Sequence, residues 1–315
     1  MDRDEMKELI TGAVSAKLGE GYHVSVREMP KTNVTKEGIA VAWEGTGSDP
    51  AAGPDTHYKN GTKFTPVIGL DHFYEKLNSG ESVDNVADMI IRLYGEAMHN
   101  IPCIDPGLFR DYGNVRDRLF VQLINRNYNR GLLESVPHSD FLDDLSVVVR
   151  CNTGTDQDGN HNSNFLVHEG HLDMWGIDRD TLMKTAMDNT RKSGITLQSI
   201  GEVMSEMAGC PMDEPEVPMW VLSNDRKVYG ASAVLLDDVL KDFANAHGSF
   251  YVILSSVHEA LLILDDGTPT MAGLTAMNQT VNANEVDDTD VLGTHAYYYD
   301  REKGFLSQAE DAHEK

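Results

Sequence analysis

Cysteine and basic residues are scarce in this 315-residue chain, and long apolar runs are absent. Its three cysteines, Cys103, Cys151 and Cys210, lie far apart and form no Cys-x-x-Cys pair. Such a count builds no disulfide framework and fits a reducing compartment, so all three read as ordinary thiols. No stretch approaches the roughly 18 uninterrupted apolar residues that cross a bilayer. The longest candidate is broken by Ser255, Ser256, His258 and Glu259. The opening residues carry acids from Asp2 onward and lack the basic start and apolar run of a secretory signal. A cytoplasmic protein with no membrane association is expected. Lys and Arg total 26 against 51 Asp and Glu, giving a formal charge of −25, and a field of that sign repels a phosphate backbone. No nucleic-acid partner is expected; the acidity reads as solubility, as adaptation to a salty cytoplasm or as a surface for a basic protein partner.

What is present suits a globular chain: 40% hydrophobic and 24% charged residues. Helical spacing of Met6, Leu9, Ile10, Ala13 and Val14 predicts a helix over 4–18, ended by Gly19 and Gly21. Alternation predicts a hairpin from 22–29 and 38–43, followed by a loop insertion over 44–63. A strand over 65–70, a helix over 71–77 and a helix capped by Ser82 come next, then a helix over 108–126. Strands are predicted over 141–150, 165–169, 219–222, 229–236 and 294–299, and 250–264 reads as two strands interrupted at 255–258. The intervening 151–164 reads as a polar turn. Helices are predicted after the Asp178 cap and over 198–207, 237–247 and 271–281. The sum is an α+β fold with mixed or antiparallel sheets and packed helices in two lobes, 1–130 and 137–305, joined across 129–137 and followed by a solvated tail over 306–315.

The segment Ser255-Ser256-Val257-His258-Glu259 concentrates the groups that could carry chemistry: a hydroxyl, an imidazole and a carboxylate at the mouth of an apolar strand. On a regular strand His258 and Glu259 face opposite sides, and no Gly-x-Ser-x-Gly elbow exposes a serine. The segment is therefore either a hydrogen-bonded strand end or a site using Ser256, His258 and Glu259. His138, with Asp140, Asp143 and Asp144, is a further candidate base if folding brings it near; surface decoration is its alternative.

Other patterns fail at named positions. His168-Glu169-Gly170-His171 has Leu172 where a zinc-protease helix needs its second His, and Leu262 breaks the same pattern after His258. Asp156, Asp158, Asn160 and Asn162 resemble a calcium loop, with Glu169 at its twelfth position, but Ser163 replaces its glycine. Gly45, Gly47 and Gly53 make no dinucleotide fingerprint, and no Gly-Lys-Ser/Thr step follows. No cofactor is expected and no metal, although His168, His171 and Asp173 could be imagined around one.

Several segments together resemble a family of uncharacterised proteins, a domain of unknown function from anaerobic Gram-positive bacteria. The carriers are Asn125 and Asn129, Leu132-Leu133, Val136-Pro137-His138, His171-Leu172, Trp175-Gly176-Ile177, Ala186 and Asn189. Val221 to Asn224, Tyr229-Gly230-Ala231, the Ser255 to Glu259 segment and Tyr299-Asp300-Arg301 complete them. The resemblance implies a proline before the paired serines, where this chain has Leu254, and it implies no activity, cofactor or partner. The expected function is a cytoplasmic binding or regulatory protein with a protein partner; the alternative is a hydrolase or other acid/base enzyme working through the Ser255 to Glu259 segment.

Overall fold

The computed structural model describes residues 1–45, 49–51, 65–99, 106–155, 162–211 and 218–308. The chain divides into two units, Met1–Lys31 with Thr35–Asp105 and Thr32–Val34 with Pro106–Lys315.

In the first unit α1 (Arg3–Leu18) starts where the Asp2 carboxylate accepts from the Asp4 N–H, and its Met6, Ile10 and Val14 form a buried stripe. β1 (Tyr22–Pro30) and β2 (Thr35–Trp43) form the expected hairpin, in register from Tyr22↔Trp43 to Pro30↔Thr35. β3 (Val67–Gly69) pairs with the other edge of β2. α2 (Asp71–Asn78) and α3 (Val83–His99) follow, and the Ser82 hydroxyl accepts from the Asn85 N–H at 3.1 Å. Met6, Ile10, Ile39, Phe73, Ile90 and Tyr94 share the core. Asp49 is buried there too, and its carboxylate accepts from the hydroxyls of Tyr22 and Tyr94. Such donors are what a buried charge needs.

The second unit holds two antiparallel sheets. In one, β6 (Leu145–Thr155) pairs with β4 (Leu119–Asn125), β5 (His138–Phe141) and β7 (Asn162–Leu166). The other comprises β8 (Ile195–Ser199), β9 (Met219–Asn224), β10 (Phe250–Ile253), β11 (Ala260–Leu264), β12 (Ala296–Asp300) and β13 (Phe305–Ser307), in the order β13-β12-β10-β11-β9-β8. The helices are α4 (Tyr112–Val115), α5 (Arg130–Leu133), α6 (Glu169–Trp175), α7 (Arg179–Lys192), α8 (Ile200–Ala208), α9 (Asp237–His247) and α10 (Met271–Asn284).

Strand alternation sorts the apolar side chains. Val121, Leu123, Val147 and Val149 of one sheet meet Leu222, Val252, Leu262 and Tyr297 of the other, with Leu182, Ala186, Leu240 and Phe243 from α7 and α9. The alternate residues Tyr251, Ile253 and Ile263 pack instead with Leu274 of α10. Ile124 and Val148 face away from the main core and pack with Leu133 and Val136. The chain is α+β.

Four sequence expectations change. The helix over 108–126 becomes short helical turns followed by β4, whose residues are buried on both faces apart from partly exposed Phe120. A run of that kind has no alternation to reveal a strand. The strand over 229–236 is a 3-10 helix, Gly230–Leu235. The single strand over 141–150 is broken by Leu142, held at a positive φ of 54°, so that β5 and β6 form a hairpin. β6 also runs on to Thr155, into the segment read as a turn. α6 and β8 had no sequence signal. The 129–137 segment lies within the second unit, between paired strands β4–β6 and β5–β6. Cys103, Gly47, Gly53, most of the 44–63 loop, the calcium-like Asp156, Asp158 and Asn160, and 309–315 lie outside the described residues.

Candidate functional site

Residues 254–259 connect β10 to β11 as a bend rather than a continuous strand. Ser256 makes an isolated antiparallel bridge with Val291. Around it, the Val257 N–H donates to the Asp290 carbonyl at 2.9 Å, the Leu292 N–H to Ser255 at 3.0 Å and the Gly293 N–H to Leu254 at 2.6 Å. A strap over 288–295 is thereby laced to the serine segment.

Asparagine amides hold the strap from the other directions. Asn33 Nδ2 donates to the carbonyls of Val291 at 2.6 Å and Asp288 at 3.0 Å. Asn125 Nδ2 donates to Leu292 at 2.8 Å, and Asn282 Nδ2 to Gly293 at 2.8 Å. Fully buried Asn278 reaches the Gly293 and His295 carbonyls, each at 3.2 Å. These side chains satisfy carbonyls that belong to no helix or strand, which is what an irregular buried segment requires.

The strap delivers Asp290 to His258, with Oδ2 at 3.3 Å from Nε2. On the other side of the ring the Tyr229 backbone N–H donates to Nδ1 at 3.3 Å, and the Tyr229 ring stacks on the imidazole at 5.8 Å. A nitrogen that accepts carries no proton, so the neutral ring bears its hydrogen on Nε2, toward Asp290. The hydrogen bond to Asp290 raises the His258 pKa above its usual 6.5, against the opposing effect of burial.

Tyr229 holds a left-handed backbone, φ 56° and ψ 24°, which is strained for a bulky residue. The adjoining Gly230 leaves no room for a side chain: a Cβ there would lie 2.1 Å from Ser223 Oγ and 2.6 Å from the His258 carbonyl oxygen. The Arg150 guanidinium lies over the Tyr229 ring, 5.2 Å from its centre. Its nitrogens donate to Gln122, to Asn164 at 2.7 Å and to Thr32 at 3.2 Å.

Ser256 and Glu259 belong to the same cluster but form no nucleophile–base pair with His258. The Ser256 hydroxyl accepts the backbone N–H of His258 at 3.0 Å. Burial raises the Glu259 pKa, with the His258 charge and the Ser256 hydroxyl opposing it.

His138 is elsewhere. It pairs with Val148 across β5 and β6, and cross-strand partners share a face, here the one turned away from the main core. Its Nδ1 is bonded to the Val136 carbonyl at 2.8 Å. Asp144 is buried with Tyr297, whose hydroxyl lies 2.9 Å from both carboxylate oxygens, and His295 Nδ1 is 3.7 Å away.

His168 and His171 serve the start of α6, where the His168 N–H donates to His171 Nδ1 at 2.9 Å. The His171 ring sits between Phe165 and Trp175, and burial lowers its pKa. Burial pushes the Cys151 thiol up to about 12, far from a reactive thiolate, while Cys210 is exposed. Among the described residues no three His, Cys, Asp or Glu side chains converge as metal ligands, and no helix is long and apolar enough to cross a membrane.

Sequence reasoning found Ser256, His258 and Glu259 but missed Asp290 and Tyr229. The available signal was the Tyr229-Gly230 step, where only glycine fits beside the His258 carbonyl.

The fold and this cluster define an α+β protein in which ionisable side chains around the 254–259 bend are tied to a distant strap by hydrogen bonds. The chain belongs to a family of unknown function, DUF5688, whose model matches residues 3–301. Neither the curated proteins nor the solved structures contain a match.

Proposed function

We propose that this chain is a cytoplasmic binding or regulatory protein whose partner is another protein, and that the Ser255 to Glu259 segment fastens the fold. The observation that carries the partner is α8. It starts with a reciprocal cap, in which Ser199 Oγ accepts from the Glu202 N–H at 3.1 Å and Glu202 accepts from the Ser199 N–H at 2.9 Å. Yet Gly201 is its only buried residue, while Met207 is 85% exposed and Met204 and Leu197, on the adjoining β8, are also exposed. β8 is an edge strand among the described residues. An apolar, methionine-bearing patch beside an open strand edge suits protein contact. Glu202 and Glu206 flank the patch on a chain of charge −25, which fits a partner with an apolar centre and a basic rim. The same charge disfavours nucleic acid.

Affinity capture from the native cells, run with the wild type and with M204S/M207S, tests this. A partner held by the wild type and lost by a variant with an unchanged circular dichroism spectrum supports it. Nothing above background, or the same captured set for both proteins, overturns it.

One observation favours a second reading, an acid/base enzyme: an Asp290–His258 pair beside a carboxyl whose pKa is raised and a strained Tyr229. Activity of the wild type on a broad substrate panel that His258→Ala loses supports that reading; equal behaviour of the two ends it.

A further inference from the structure

Most arginines and lysines with close partners in the second unit stand against acids: Arg126 on Asp140, Arg179 on Glu169, Arg191 on Asp238 and Lys303 on Asp300. A chain with 51 acids and 26 bases makes that the ordinary outcome. Arg118 and Arg226 depart from it, since neither guanidinium has an ion-pair or hydrogen-bond partner among the described residues, the Arg226 backbone N–H alone donating to Asn224 Oδ1. They come from separate places, Arg118 from the turn leading into β4 and Arg226 from the turn after β9. Both line one cavity of about 360 Å³.

The rest of the wall suits an organic anion. Asp117, the carboxylate on the wall among the described residues, lies 3.5 Å from Arg116. Asn152 Nδ2 and Asn189 Oδ1 have no partner among the described residues, leaving a donor and an acceptor. Phe120 and Tyr229 contribute aromatic surface, their rings 5.7 Å apart. Behind Tyr229 the Arg150 guanidinium is bonded, among the described residues, only to neutral side chains, so its charge adds to the positive field in the concavity. Ligand cavities run from about 300 to 1,000 Å³. This one therefore holds a single-ring compound, not a dinucleotide.

We infer that this cavity binds a small organic acid, a carboxylate or phosphate monoester on a flat ring, with Arg118 and Arg226 gripping the acid group and Phe120 facing the ring. The site is separate from α8 and goes beyond the protein-partner reading.

Calorimetric titration of the full chain at low salt with benzoate, phenyl phosphate, inorganic phosphate and neutral benzamide tests it. Benzoate or phenyl phosphate binds saturably, benzamide does not, and inorganic phosphate binds more weakly than phenyl phosphate. The stronger of the two ring acids identifies the acid group. R118Q/R226Q weakens binding about tenfold or more, the loss expected from charge-assisted bonds. R118K/R226K, which keeps the charge but not the planar fork, falls between. Circular dichroism confirms that both variants fold. No saturable binding of either ring acid, equal binding of benzamide, inorganic phosphate binding as tightly as phenyl phosphate, or unchanged affinity in R118Q/R226Q overturns it.

Discussion

Asp290 is set beside His258, Oδ2 to Nε2 3.3 Å, by a strap fixed by asparagine amides rather than by helix or strand. With the Tyr229 N–H on Nδ1, both ring nitrogens are occupied. A general base needs a nitrogen lone pair within reach of a substrate proton. Neither nitrogen offers one here, and the Ser256 hydroxyl accepts the His258 backbone N–H rather than meeting the ring.

Stability should carry the signature of this pair. The folded pKa of His258 lies above its unfolded value, so the pair contributes stability that is fully present below about pH 6.5 and is lost as pH rises through the folded pKa. Protonation also gives up the Tyr229 bond and both side chains are partly exposed, which holds the gain to about 1 kcal/mol or less. Urea unfolding of wild type and His258→Gln at about pH 5.5 and about pH 8 should show the larger difference at the lower pH. A difference that grows with pH contradicts the pairing.

Tyr297 is fully buried, and its hydroxyl is the donor to buried Asp144. Burial and the neighbouring carboxylate raise its pKa far above the ordinary value, so it stays a donor at every working pH. Tyr297→Phe strips the carboxylate of that donor and should cost about 2–3 kcal/mol in denaturant unfolding. Asp144→Asn, which removes the buried charge, should cost less. A Tyr297→Phe loss under about 0.5 kcal/mol, the ordinary range for a surface substitution, rules out this role.

Gly230→Ala should destabilise by about 1–3 kcal/mol, the usual penalty for overpacking. The added methyl meets the His258 carbonyl at 2.6 Å and the Asn224 backbone nitrogen at 2.8 Å, atoms that cannot rotate aside. Gly131→Ala, where a Cβ meets nothing within 4 Å, is the matched control and should be neutral or stabilising. Equal melting temperatures for the two variants would show that the Tyr229 turn tolerates repacking.

The elements legible in the sequence were those with local chemistry at their ends. Asp178 caps α7 through the Thr181 N–H, Gly248 ends α9, and the break between β10 and β11 falls at the polar residues 255–258. β4 was misread because burial on both faces erases the alternation that marks a strand. The 3-10 turn over Gly230–Leu235 was misread because its small apolar run has strand-like composition, while long-range contacts such as Ala231 N–H to the Val257 carbonyl hold it. The part of the His258 cluster that lies in one stretch of chain was visible. Ser256, His258 and Glu259 are sequence neighbours, whereas Asp290 arrives through amides from Asn33, Asn125, Asn278 and Asn282, and no local pattern encodes that convergence. His138 looked like a partner by composition, but strand parity turns it to the other face.

The most direct measurement is the ¹⁵N–¹H long-range correlation spectrum of the His258 imidazole, taken at a pH above its titration. A proton on Nε2 and a lone pair on Nδ1, with the Nδ1 signal changing on Tyr229→Gly, is the predicted result. A proton on Nδ1, which leaves the Nε2 lone pair available as a base, contradicts it.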